Sequence, residues 1–314
     1  MQATAPGKII LFGEHAVVYG RPAIAAPVSQ VRATAVITPS PDEHIHLIAP
    51  DLNLATTLDE ADEENPLAAA VRQVVMAIHN SSFLVHHFTL TVTSQIPIAS
   101  GMGSGAAITA AVIRALAQHW GLAASNEWVS DLTYEVEKLH HGTPSGIDNT
   151  VVAYEQPIYF VRQQPKNKIE VFGVKRPLHL LIADTGIRSS TKVAVGDVRR
   201  QWQADPTRFE ALFDGCGRIA EQARRAIECG DLAEIGRLMT QNHALLQAMT
   251  VSSPELDRLV VAAKGAGALG AKMSGAGRGG NMIALVGEGQ ETAVRQALLA
   301  GGATAVLSSV VETQ

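Results

Sequence analysis

A chain of 314 residues is longer than one compact core usually serves, so its length predicts two domains. Its 46% hydrophobic and 18% charged residues suit a folded protein rather than a disordered one. A formal net charge of −5 excludes the basic footprint of a nucleic-acid or anionic-membrane binder, and two cysteines, Cys216 and Cys229, exclude a disulfide scaffold and fit a reducing, cytoplasmic setting.

The amino terminus, MQATAPGKIILFGEH, has no basic start followed by an extended apolar run, so no secretory signal is expected. The opening region reads as short strands separated by turns. Arg32–Thr38 and His44–Ile48 have the β-branched, partly alternating pattern of strands, with Pro-Ser-Pro-Asp between them. The acidic run Asp59–Glu64 is a solvated loop leading into a helix at about Pro66. From Pro66 to Asn80 the residues Leu67, Val71, Val74, Val75 and Ile78 share one helical face. A strand follows at Phe88–Thr93, then helices at Ala106–Trp120 and Asn126–His140. The most apolar long segment, Ala106 to Ala117, is broken by Thr109 and Arg114 and is too short to span a bilayer.

Val151–Val161 reads as paired short strands. Arg176-Pro177 precedes the apolar strand Leu178–Ala183, and the domain boundary is placed there, giving domains 1–177 and 178–314. Helices are expected at Thr191–Gln203, Arg208–Cys229, Leu232–Met249 and Pro254–Gly265, closing with strand–turn–strand around KMSGAGRGGNMIALV. Strands and helices mix without strict alternation, which predicts an α+β fold.

The glycine-rich stretch SGMGSGAA, Ser100 to Ala107, lies between a strand and a helix. Such a loop offers free backbone N–H groups and the positive end of a helix dipole to an anion. A plain structural turn is the competing reading. Gly101, Gly103 and Ala106 fit the dinucleotide pattern G-x-G-x-x-A, but no strand follows the helix to carry the acidic residue that pattern needs. No G-x-x-x-x-G-K-[ST] loop occurs anywhere in the chain.

Three segments carry more information together. PGKIILFGEHAVVYG spans Pro6 to Gly20, PIASGMGS spans Pro97 to Ser104, and KMSGAGRGG spans Lys272 to Gly280. In this order they resemble the three motifs of the galactokinase, homoserine kinase, mevalonate kinase and phosphomevalonate kinase (GHMP) superfamily. The resemblance covers essentially the whole chain. APGKIILFGEHAVVYG and HGTPSGIDN are similar to the mevalonate kinase branch in particular.

The resemblance implies a two-domain GHMP kinase fold, with a ribosomal protein S5-like N-terminal domain for ATP and catalysis and a ferredoxin-like C-terminal domain. It implies ATP-dependent phosphorylation of the 5-hydroxyl of mevalonate, with Mg2+ as cofactor and no nucleic-acid or membrane partner. A homodimer stays open. Pro97, Ser100, Gly101, Met102, Gly103, Ser104, Gly105 and Ala106 match the ATP-binding loop. Asp148 matches the catalytic aspartate, which as a positioned carboxylate takes the proton of the acceptor alcohol. Lys8 matches a catalytic lysine, an ammonium suited to charge developing on the alcohol oxygen.

Glu137 matches the family's Mg2+-binding glutamate, with Ser104 as second metal candidate. The family's loop usually reads G-x-G-S-S, whereas this chain has Gly105 in the last place. Arg278 stands where the third motif more often has glycine, and reads either as a phosphate partner or as solvent-facing. Glu14, His15 and Thr191 match substrate-side positions, with Arg188 a further candidate for the acceptor's carboxylate. A structural role in holding the turn is the other reading of His15. His140-His141 lacks a third ligand at metal spacing. The alternatives are a kinase of another small acceptor (phosphomevalonate, homoserine or a sugar) and a catalytically silent ligand-binding scaffold, to which Gly105 is the pointer.

Overall fold

A computed structural model of the chain describes residues 1–78, 87–97, 101–141 and 144–312. It opens with two long strands, β1 (Gln2–Phe12) and β2 (Ala23–Pro39), where the sequence pattern predicts short ones. The added length of β2 lies in AIAAPV, whose residues are buried in succession. A strand covered on both faces shows no alternation, so the pattern has nothing to report there. Two short strands follow, β3 (His46–Ala49) and β4 (Leu54–Thr57), then helix α1 (Pro66–Ala77) and strand β5 (Phe88–Ser94). Asn65 caps α1 by accepting from the N–H groups of Leu67 and Ala68, and Pro66 starts it.

Helices α2 (Ser104–His119), α3 (Asn126–His141) and α4 (Ile147–Tyr154) come next. The last corrects the expectation of paired strands over Val151–Val161. Only β6 (Ile158–Val161) forms there, and it pairs with β7 (Lys168–Val171). The β-branched run Thr150-Val151-Val152 is buried where α4 packs on α2 and α3, and that packing overrides local propensity.

The rest comprises strand β8 (Leu178–Asp184), helices α5 (Thr191–Ala204), α6 (Pro206–Cys229), α7 (Leu232–Ala248) and α8 (Pro254–Gly265), and strands β9 (Gly270–Ser274) and β10 (Asn281–Leu285). Ser190, Asp205, Asp231 and Ser253 cap the four helices, each accepting from the N–H three residues on. A further helix α9 (Glu291–Ala300) and strand β11 (Ala305–Val311) close the chain beyond the expected strand–turn–strand.

Packing groups these elements into two compact units. Unit 1 takes Met1–Gly7, Val31–Ile98 and Gly103–Glu155; unit 2 takes Lys8–Gln30, Ala99–Met102 and Gln156–Gln314. The span 178–314 falls wholly in unit 2. In unit 1, β5 lies between β3, which runs parallel to it, and the later half of β2, which runs antiparallel. Helices α1 to α4 of that unit pack on one another.

In unit 2 the antiparallel sheet has the order β11-β8-β10-β9. Counted within this region the order is 4-1-3-2, the ferredoxin-like arrangement. Leu181, Phe209, Phe213, Leu246, Met273 and Met282 lie in its core. No helix among the described residues is long and apolar enough to cross a membrane.

Candidate active site

Parts of all three quoted motifs meet inside unit 2. The N–H of Lys8 donates to Met102 O at 2.9 Å, joining β1 to the first glycine loop. Ser274 Oγ donates to Ile10 O at 2.9 Å and accepts from Ile10 N–H at 3.2 Å, joining β1 to the last motif. A Cβ placed on Gly275 would lie 3.8 Å from Gly101 O. Lys8 is only 4% exposed, so its ammonium is held by the fold rather than left to solvent.

The glycines of the last motif divide by cause. Gly277 has φ +80°, and a Cβ there would fall 1.9 Å from Val251 O. A Cβ on Gly279 would fall 2.5 Å from Ile187 O. The same two carbonyls accept from Arg278 N–H and Gly280 N–H, each at 2.8 Å. These glycines are required by the protein's own backbone, not by a ligand. Gly101 has φ +80° and nothing within 4 Å of its Cβ position among the described residues. Open space of that kind is where an anion can approach main-chain N–H groups.

Behind this loop lies a buried polar cluster. Glu14 and Lys272 are both 0% exposed and their side chains form an ion pair. Lys272 Nζ also donates to Met273 O at 2.7 Å. Burial pushes the Glu14 carboxyl up and the Lys272 ammonium down, while their contact opposes both shifts. Glu14 Oε2 has no hydrogen-bond partner among the described residues. Asn242 Oδ1 accepts from Gly13 N–H at 3.4 Å, and His15 Nε2–H donates to Ala276 O at 2.9 Å. Burial holds the His15 imidazole down to about 4, so it stays neutral at ordinary pH.

His243 accepts from Met273 N–H through Nδ1 at 3.3 Å, and its Nε2 lies 3.1 Å from Asp257 Oδ1. Burial holds this imidazole below its ordinary value as well. The sequence reading gave Lys272, Asn242 and His243 no role. The available signal was a lysine inside the apolar strand AKMSG, since an unpaired charge is not buried there.

Unit 1 holds Gly103 to Ala106, Glu137 and Asp148. Gly103, φ +69°, starts α2, and no side chain caps that helix. Its first turn therefore presents N–H groups and the positive end of the dipole. Glu137 on α3 is only 7% exposed. A Cβ on Gly105 would sit 3.5 Å from Glu137 Oε1, which puts the carboxylate beside the first turn of α2. No group of three or more His, Cys, Asp or Glu among the described residues could hold a metal. One carboxylate and the Ser104 hydroxyl are hard oxygen donors, and they suit a cation that keeps most of its waters, as Mg2+ does.

Asp148 is the second residue of α4, a position that favours an anionic side chain. Its neighbours are pinned. Thr150 Oγ1 donates to Gly146 O at 2.6 Å, and Asn149 Nδ2 donates to Ser130 O at 3.1 Å and Ser130 Oγ at 2.9 Å.

Thr191 is the first residue of α5 and is exposed. Two residues before it, Ser189 Oγ donates to Gly277 O at 2.5 Å. The Arg278 guanidinium pairs with Asp197 on α5, and its Nε donates to Thr250 O at 3.3 Å. Ser100 lies outside the described residues, as do Gly142 and Thr143 of HGTPSGIDN and the side chains of His140 and His141.

Models of the GHMP kinases N terminal domain and the GHMP kinases C terminal match residues 67–156 and 220–304. The chain is 37% identical to the mevalonate kinase of Thermococcus gammatolerans and 36% identical to that of Thermococcus sibiricus, each over 96% of this chain and 93% of the relative. Among solved structures, the L. major mevalonate kinase in complex with R-mevalonate aligns with a TM-score of 0.86 at 31% identity, over 100% of this chain and 96% of that one. The chain belongs to the GHMP kinase family, in its mevalonate kinase branch.

Proposed function

We propose that this chain transfers the γ-phosphoryl group of ATP to the 5-hydroxyl of mevalonate. The observation that carries the reading is identity of 36% and 37% to two mevalonate kinases over nearly the full length of both partners. Phosphoryl transfer asks a protein mainly for positioning and for stabilised negative charge. Gly101 to Ala106 cradle the phosphates with backbone N–H groups. Asp148 takes the hydroxyl proton as the new P–O bond forms and the bond to the β-phosphate oxygen breaks, releasing ADP. Lys8 stabilises charge on the acceptor oxygen.

Glu137 and the Ser104 hydroxyl, with waters, would hold Mg2+, which neutralises phosphate charge when bound. His15 and Thr191 serve the acceptor side. Glu14 is the candidate whose part is best read as indirect, because its carboxylate is committed to Lys272 and none of it is exposed. The setting is the cytoplasm, which suits two free cysteines.

Asp148→Asn tests the chemistry. Turnover should fall by roughly 10²–10⁴-fold, the usual worth of a positioned base, while ATP affinity measured by calorimetry stays within about twofold. Near-normal turnover would remove Asp148 from the reaction.

A further inference from the structure

Arg278 is a residue the kinase reading leaves without a task, and its surroundings supply one. Its backbone sits at φ +58°, a region that side chains other than glycine rarely adopt. The loop around it does not need the guanidinium. Arg278 N–H on Val251 O, Gly280 N–H on Ile187 O and Ser189 Oγ on Gly277 O already hold residues 277–280. What the guanidinium adds is a fork reaching Asp197 on α5 and Thr250 O. Asp197 also pairs with Arg200 one turn on, and its carboxyl is held below its ordinary value, first by its bond to Arg278.

The two halves of α5 are anchored unequally. Its later half is tied by Gln201 Nε2 to Thr250 Oγ1 at 2.8 Å and by Trp202 Nε1 to Glu210 Oε1 at 2.8 Å. Trp202 also meets the Tyr19 ring at 5.4 Å. The earlier half has one buried residue, Ala194; Thr191, Lys192 and Val193 are exposed, Val193 at 57%. Asp197 lies between the halves, so its tie to Arg278 bears on the start of the helix, where Thr191 sits.

We propose that Arg278 is a positioning residue that clamps the start of α5 through Asp197 and thereby sets the acceptor side of the site without touching phosphate. The acceptor is an alcohol-bearing acid, on the function proposed above. Removing the clamp loosens Thr191 and its neighbours and leaves the glycine loop in place. Acceptor binding suffers and nucleotide binding does not.

Asp197→Asn, Arg278→Gly and the double variant test this in two ways. Hydrogen exchange on the ligand-free enzyme should show amides 194–198 opening about tenfold faster in each single variant, with β10 unchanged. Steady-state kinetics should show KM for mevalonate rising about tenfold and KM for ATP moving less than about twofold. Asp197→Asn also breaks the pair with Arg200, so the double variant should be no worse than Asp197→Asn alone.

Unchanged exchange at 194–198 would overturn the clamp. An equal rise in both KM values would overturn it too, and would place the guanidinium on phosphate. If Arg278→Gly fails to fold, Asp197→Asn decides when read against Arg200→Ala, which removes only the other pair of Asp197. A wild-type enzyme that leaves mevalonate untouched would defeat the proposed function, and exchange would then decide the clamp by itself.

Discussion

The two glycine loops look alike in sequence and differ in what they need their glycines for. In the loop at residues 275–280, Gly277 and Gly279 are forced by Val251 O and Ile187 O, carbonyls of the same unit. In the loop at residues 101–105, Gly101 meets nothing within 4 Å among the described residues and Gly105 faces only Glu137 Oε1 at ordinary contact distance. Gly277 and Gly279 are required because the protein fills the space beside them, whereas the space beside Gly101 is open among the described residues. A glycine motif is therefore a statement about close approach, and the structure says by what.

The difference can be broken from the closed side first. Lys272→Met leaves Glu14 buried without its counter-ion, and a thermal or denaturant melt should show a loss of about 3–5 kcal/mol. Adding Glu14→Leu should recover part of that loss, because a buried apolar pair carries no desolvation penalty. Gly277→Ala drives a Cβ into Val251 O at a left-handed φ and should cost roughly 3 kcal/mol before any ligand is considered.

Acid sharpens the same comparison. His15 is tied to Ala276 O in the closed loop, and its folded value near 4 lies below the 6.5 of a free imidazole. The unfolded chain binds that proton more readily, so the stability His15 contributes is complete above pH 6.5 and is lost as pH falls toward 4. The loss should be on the order of 3 kcal/mol, and His15→Gln should flatten that part of the stability–pH curve. Gly101→Ala is the smallest change to the fold. It should cost about 1 kcal/mol of stability, from φ alone, yet weaken ATP binding measured by calorimetry. Equal stability losses at Gly101 and Gly277 would erase the distinction between the loops.

Much of unit 2 was legible because its helices announce their starts. Ser190, Asp205, Asp231 and Ser253 are side-chain caps, and α8 runs over the residues expected of it. The misreadings share a cause. The early half of β2 and the run Thr150–Val152 are buried by neighbours distant in sequence, so local pattern either vanishes or points to the wrong element. The same holds at the site. Lys8, Glu137 and Asp148 were named because they match a family's motifs, whereas the partner of Glu14 stands 258 positions away and only the fold joins them. Arg278 read as a departure from a motif, and its pairing with Asp197 could not be seen before α5 was in place.

The most direct measurement is Mg2+-dependent ADP release with mevalonate, 5-phosphomevalonate, homoserine and galactose offered in turn. Turnover is expected with mevalonate, abolished by removing Mg2+, and none above background with the other three. Turnover with another acceptor instead, or with none of the four, would contradict the proposed function.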